Sequence, residues 1–170
     1  IRRDEYTEII KFGTHTVKAV PYDMPVIGYG GKKINTLRLW QAEPLEQFDL
    51  TAFNEQRFND AFNERNNAEK ISAVLYPNDN GYEGKVLRLK QQYFFSSASV
   101  QSIIRNFVMV HKDDFDNFDK YYAIQLNDTH PIVSIPEFMR ILISEYNISV
   151  TKTFEIASRV FSYTNHTIMA

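Results

Sequence analysis

Tyr121-Tyr122-Ala123-Ile124-Gln125-Leu126, then Asn127-Asp128-Thr129-His130-Pro131, then Ser134-Ile135-Pro136-Glu137 opening onto Phe138, Ile141 and Leu142, is the stretch from which the fold is read. A short apolar run closed by a polar turn predicts a strand. Apolar residues at helical spacing behind a Ser-x-x-Glu capping box, Ser134 to Glu137, predict a helix over about 134–144. Pro136 is compatible with it, because an N–H in the first helical turn has no partner within the helix. Val150, Phe154, Ala157 and Phe161 mark a further helix over about 150–161, and Ser162-Tyr163-Thr164-Asn165-His166 follows as a second strand-like end. Strand, helix, helix, strand is the signature of an α/β fold.

Working back toward the N-terminus, Leu89, Tyr93, Val100, Ile104 and Phe107 form a helical stripe and predict a long helix over about 85–109, although Tyr93-Phe94-Phe95 taken alone also suits a strand. Asp113, Asp114, Asp116 and Asp119 read as a solvated connector. Phe58, Ala61, Phe62, Ala68, Ile71, Val74 and Leu75 predict a helix over about 55–74 with Asn54 as its N-cap, ending near Pro77. Pro77-Asn78-Asp79-Asn80-Gly81 is then a polar turn that is exposed or lines a cavity. The first 45 residues are β-rich, with strands at Thr16–Val20 and Thr36–Trp40; the prolines and glycines of Pro21–Pro25 and Gly28–Gly31 favour turns between them.

The 170 residues, 44% hydrophobic and 24% charged, have the make-up of one ordinary globular domain. A net charge of -2 with scattered lysines and arginines gives no field for phosphate backbones, so nucleic acid is not an expected partner. No apolar run approaches the roughly 18 residues of a membrane span. The absence of cysteine removes disulfides, thiolate nucleophiles and cysteine metal sites, and fits a cytoplasmic location. Residue 1 is Ile, which points to a piece of a longer chain.

Ligands of open α/β sheets bind beyond the carboxyl ends of the strands, which is where Asn127–Pro131 would project. Asp128 accepts hydrogen bonds and His130 donates or accepts them, a pairing suited to sugar hydroxyls or to proton transfer, and equally to a polar turn capped by its own side chains. If the two strands are neighbours, His166 faces the same cleft as Asp128. Asn78-Asp79-Asn80-Gly81 is not a calcium loop, because its first and last ligand positions would fall on Tyr76 and Leu87. No zinc-protease, phosphate-loop or nucleophile-elbow motif is present, and no carboxylate pair stands out as a glycosidase acid and nucleophile.

Six ordered stretches resemble the α-glucan phosphorylases, the enzymes of glycogen, starch and maltodextrin breakdown. They are Pro21-Tyr22-Asp23-Met24-Pro25-Val26-Ile27-Gly28-Tyr29, Asn35-Thr36-Leu37-Arg38-Leu39-Trp40, Val74-Leu75-Tyr76-Pro77-Asn78-Asp79-Asn80, Leu87-Arg88-Leu89-Lys90-Gln91-Gln92-Tyr93-Phe94, Asn127-Asp128-Thr129-His130-Pro131 and Tyr163-Thr164-Asn165-His166-Thr167. The resemblance implies one excised part, residues 1–170, of the Rossmann-like N-terminal lobe of a two-lobed, GT-B type glycosyltransferase. It also implies reversible phosphorolysis of α-1,4-glucan ends to glucose 1-phosphate, with orthophosphate as co-substrate, pyridoxal 5′-phosphate as cofactor, and a homodimeric parent. Carried over by position, Asn80 and His166 hydrogen-bond the glucosyl unit, and Asp79, Asp128 and His130 form the polar wall beside it; none is a proton donor or nucleophile.

Nucleotide-activated members carry consecutive arginines where this chain has Arg105 followed by Asn106, so only one allosteric phosphate contact remains. Gly81 stands where animal members have an aromatic residue, which argues against a purine-stacking inhibitor site. No lysine lies in a context resembling the cofactor-binding motif, so this piece is expected to be inactive alone. The alternatives are a stand-alone carbohydrate-binding or interaction module and a nucleotide-sugar glycosyltransferase.

Overall fold

A computed structural model describes residues 1–168. In chain order the elements are β1 (Glu8–Phe12), β2 (His15–Ile27), β3 (Ile34–Pro44), α1 (Leu50–Asn54), α2 (Phe58–Ala61), α3 (Asn63–Ala73), α4 (Tyr82–His111), α5 (Phe118–Tyr121), β4 (Ile124–Asn127), α6 (Ser134–Tyr146), α7 (Val150–Val160) and β5 (Phe161–Thr164). They fall into two compact units, Ile1–Phe94 and Phe95–Ala170, and α4 supplies residues to both. The fold is mixed α/β.

In the first unit β1, β2 and β3 form an antiparallel sheet in that order. The β-rich start is as expected, but Pro21–Pro25 is strand rather than turn, with Pro21 opposite Trp40 and Pro25 opposite Thr36. The reason lies in the alternation of an antiparallel ladder. Asp23 donates its N–H to Ile1 O at 2.8 Å and Pro21 O accepts from Arg3 N–H at 2.9 Å, so the odd-numbered residues of this stretch turn their backbone groups away from β3. Pro21 and Pro25 share that parity, and the N–H each lacks is one β3 never uses. The turn expected at Gly28–Gly31 is present, with Gly30 and Gly31 at φ 70° and 69°. α3 packs on β3 through buried Ala68 and Ile71, and Ser72 Oγ accepts the Ala42 N–H at 2.9 Å.

The single helix expected over 55–74 is broken into α1, α2 and α3, and Asn54 is the last residue of α1 rather than an N-cap. Asp49 is the cap, its carboxylate accepting the Ala52 N–H at 3.0 Å, and Gln56 at φ 61° ends the first turn of chain. The phenylalanines explain the break. The Phe53 ring centroid lies 5.1 Å from that of Phe58 and 6.2 Å from that of Phe62, a cluster formed as the chain folds back and Asp49 N–H reaches Ala61 O at 2.9 Å.

The second unit is built on a phenylalanine core. Phe107, Phe118 and Phe138 are fully buried, packed with Ile104, Ile141 and Ile156. The long helix runs 82–111 rather than 85–109, and Tyr93-Phe94-Phe95 is helical. The acidic connector contains α5 and hides Phe115 and Phe118, while Asp116 and Asp119 pair with Lys152 and Arg159 of α7. Tyr121 belongs to α5, not to the strand: Tyr122 N–H closes the turn on Phe118 O at 3.0 Å, and β4 begins only at Ile124.

α6 starts at Ser134 as expected, but the capping box does not form, because Glu137 is drawn inward. Its buried carboxylate accepts from Ser97 Oγ at 2.6 Å and from Arg140 Nε at 2.8 Å. Asn147, at φ 56°, terminates α6, with Ile148 N–H reaching Leu142 O at 3.0 Å, and Ser149 caps α7. The two helices return the chain so that β5 lies parallel to β4, Ile124 opposite Phe161 and Asn127 opposite Thr164.

Candidate functional site

The parallel register puts the carboxyl ends of β4 and β5 side by side, so the two polar clusters that follow them emerge at one end of the pair. Asp128, the first residue past β4, donates its N–H to Thr164 O at 2.7 Å and so extends the ladder by one bond. It is 8% exposed and left-handed at φ 65°, a conformation Asp tolerates better than most residues. Its carboxylate accepts the Thr129 N–H at 2.7 Å. The hydrogen-bond partner of Asp128 is thus its own turn and not His166, so the capped-turn alternative describes its local chemistry.

His130 is half-buried within the turn, whose backbone is tied by Ile132 N–H to Thr129 O at 3.2 Å and Ser134 N–H to Pro131 O at 2.9 Å. His166 lies two residues past β5 and is exposed. Asn165 holds this segment, its Oδ1 accepting from Thr167 N–H at 3.1 Å and Thr167 Oγ at 2.8 Å. Gln125 Nε2 donates to Thr164 Oγ at 2.6 Å across the strand pair. The second unit therefore brings Asp128, His130 and His166 to the same strand ends.

Asp79 and Asn80 belong to the first unit, on the loop between α3 and α4. Asn80 is exposed, and its N–H donates to Asn78 Oδ1 at 2.9 Å. Asp79 accepts from Arg88 Nη1 of α4 at 2.6 Å, and Arg88 also stands over the Tyr76 ring at 5.9 Å. Gln91 Nε2 donates to Val74 O at 2.7 Å at the other end of the loop. Gly84 abuts the loop so closely that a Cβ there would come within 2.0 Å of Asn78 O. Arg105 is half-buried on α4. No group of three or more His, Cys, Asp or Glu able to hold a metal ion occurs among the described residues, and no helix among them is long and apolar enough to cross a membrane.

Arg88 lies inside one of the six family-like stretches with no role implied for it, and Gly84 lies in none of them. A glycine in the first turn of a thirty-residue helix is itself a signal, since it costs the helix about 1 kcal/mol relative to alanine and marks a close approach.

A family model for carbohydrate phosphorylases matches residues 2–170. The chain belongs to the carbohydrate phosphorylase family. The liver form of glycogen phosphorylase from Ovis aries is 47% identical over 163 residues, 92% of this chain and 19% of that protein. The brain form from Mus musculus is 46% identical over 168 residues, 95% of this chain and 20% of that protein. The muscle form from Bos taurus is 47% identical over 163 residues. The phosphorylase chain thus spans about a fifth of the length of the curated relatives it matches. Membership of this family does not favour the nucleotide-sugar transferase or the stand-alone module.

Proposed function

We propose that this phosphorylase chain supplies glucosyl-binding residues to an α-1,4-glucan phosphorylase, which releases glucose 1-phosphate from glucan ends with orthophosphate. The observation that carries the reading is the parallel pairing of β4 and β5, which brings Asp128, His130 and His166 to one end of the strand pair within a chain of this family. In the second unit His166 hydrogen-bonds a glucosyl hydroxyl, with Asp128 and His130 in the polar wall beside it; in the first unit Asn80 is a glucosyl contact, with Asp79 in the polar wall beside it. These contacts strengthen as positive charge develops on the departing glucosyl unit, so they lower the barrier rather than merely the ground state. Arg105 retains one phosphate contact of a nucleotide site that its neighbour Asn106 leaves incomplete, which argues against activation of the parent by AMP.

The parent uses pyridoxal 5′-phosphate, held outside this chain. A lysine that forms a Schiff base sits in a desolvated pocket, and every lysine among the described residues is exposed or half-buried. The residues present do not fit that cofactor, and the chain by itself is inactive. The chain is part of the Rossmann-like N-terminal lobe of a GT-B type, cytoplasmic, homodimeric enzyme.

The test is glucose 1-phosphate release by the full-length parent from maltoheptaose and orthophosphate, with the cofactor retained or stripped. Release should depend on both phosphate and cofactor, and His166→Ala should lose turnover by about tenfold or more, in the range of a hydrogen bond to a charged group. Wild-type turnover in His166→Ala, or release without orthophosphate, would sink the reading.

A further inference from the structure

We propose that Gly84 and Arg88 are positioning residues that dock the Asn78–Asn80 loop onto the first turns of α4 and so hold Asn80 in place for the sugar, an inference that rests on Asn80 being a glucosyl contact. The loop touches α4 at three levels. Gly84 forms the seat: a Cβ there would meet Asn78 O at 2.0 Å, Asn78 C at 3.0 Å and Asp79 Cα at 2.9 Å, all backbone atoms that cannot rotate aside. One turn along, Arg88 latches the loop through Nη1 to Asp79 Oδ2 at 2.6 Å, with its guanidinium over Tyr76. Gln91 then anchors the entry of the loop at Val74 O. Between seat and latch the loop folds on itself, Asn78 Oδ1 accepting the N–H of Asn80.

This explains why a residue poor at forming helix occupies Gly84. Alanine would favour the helix, yet its methyl would have to push the Asn78 carbonyl outward by roughly 1.5 Å or more to reach an ordinary contact. A misplacement of about 1 Å in a group that touches substrate can cost on the order of 10²-fold in rate.

The test uses the full-length parent with Asn80→Ala, Gly84→Ala, Arg88→Met and Arg88→Lys. Readouts are kcat and KM for maltoheptaose and orthophosphate, together with hydrogen exchange over residues 76–82. Gly84→Ala should speed loop exchange and lower kcat by up to about 10²-fold. Arg88→Met should do the same more weakly, and Arg88→Lys should recover part of the loss because it keeps the charge that faces Asp79. Asn80→Ala should lower kcat while the loop stays protected. Wild-type exchange and kinetics in Gly84→Ala and Arg88→Met would overturn the docking itself. Wild-type kinetics in Asn80→Ala would instead overturn the sugar-binding role on which it rests.

Discussion

Replacing Asp128 in three ways separates its backbone role from its side-chain role. The residue holds φ 65°, its N–H closes on Thr164 O at 2.7 Å, and its carboxylate accepts the Thr129 N–H at 2.7 Å. Alanine loses the side-chain hydrogen bond, about 0.5–1.5 kcal/mol, and meets the left-handed region without a polar side chain, a further cost of roughly 1–2 kcal/mol. The sum is about 1.5–3.5 kcal/mol. Glycine suffers only the first loss, because it adopts φ above zero freely. Asparagine keeps both an acceptor and the tolerance for that conformation, and should be close to neutral. Each 1.4 kcal/mol is a factor of ten in local opening, so exchange of the Asp128 and Thr129 amides in the full-length parent reads the difference directly. Alanine should exchange about 10- to 300-fold faster than wild type, glycine no more than about tenfold, and asparagine within about threefold. Equal exchange in the alanine and asparagine variants would refute the account of the turn.

Two further outcomes follow from the ion pair and the core. Arg38 donates to both carboxylate oxygens of Asp23 at 2.7 Å and holds its carboxyl below the ordinary value of 3.8; a lowered pKa stabilises the fold above that value, and the contribution is lost as pH falls through and below it. Asp23→Asn should therefore cost about 1 kcal/mol at pH 7, seen as a lower melting temperature, and the gap from wild type should close as the pH falls below the ordinary carboxyl range; a gap independent of pH would contradict the ion pair. Phe118 is fully buried with its ring centroid 4.5 Å from that of Phe107 and 5.3 Å from that of Phe138, so Phe118→Ala should cost about 3–5 kcal/mol. Tyr121→Ala, at a 53% exposed position, should cost under about 1 kcal/mol, and exchange of α6 and α7 amides in the two variants compares them; similar losses would remove Phe118 from the core.

What could be read from the sequence was whatever depends on neighbours along the chain. Periodicity located α6 and α7, because a stripe of apolar residues such as Phe138, Ile141 and Leu142 needs only one buried face to become a helix. The same local logic placed Asp128 and His166 after two strands, and the six ordered motifs pointed to the family that the match over residues 2–170 then established.

Only the tertiary structure decided the rest, because in each case a distant partner outbid a local preference. Glu137 left its capping box for Ser97, forty residues away in sequence. Phe62 packs on Phe53, from outside the expected helix, where the sequence predicts a continuous helix, and Pro21 entered a strand because the missing N–H faces away from β3. The sequence by itself determined the family, the α/β class and the identity of the polar clusters. That β4 and β5 are parallel neighbours is a fact of packing between residues remote in the chain, and that Gly84 is the surface on which the Asn80 loop rests is a fact of how that loop folds back onto the helix it opens; no periodicity records either.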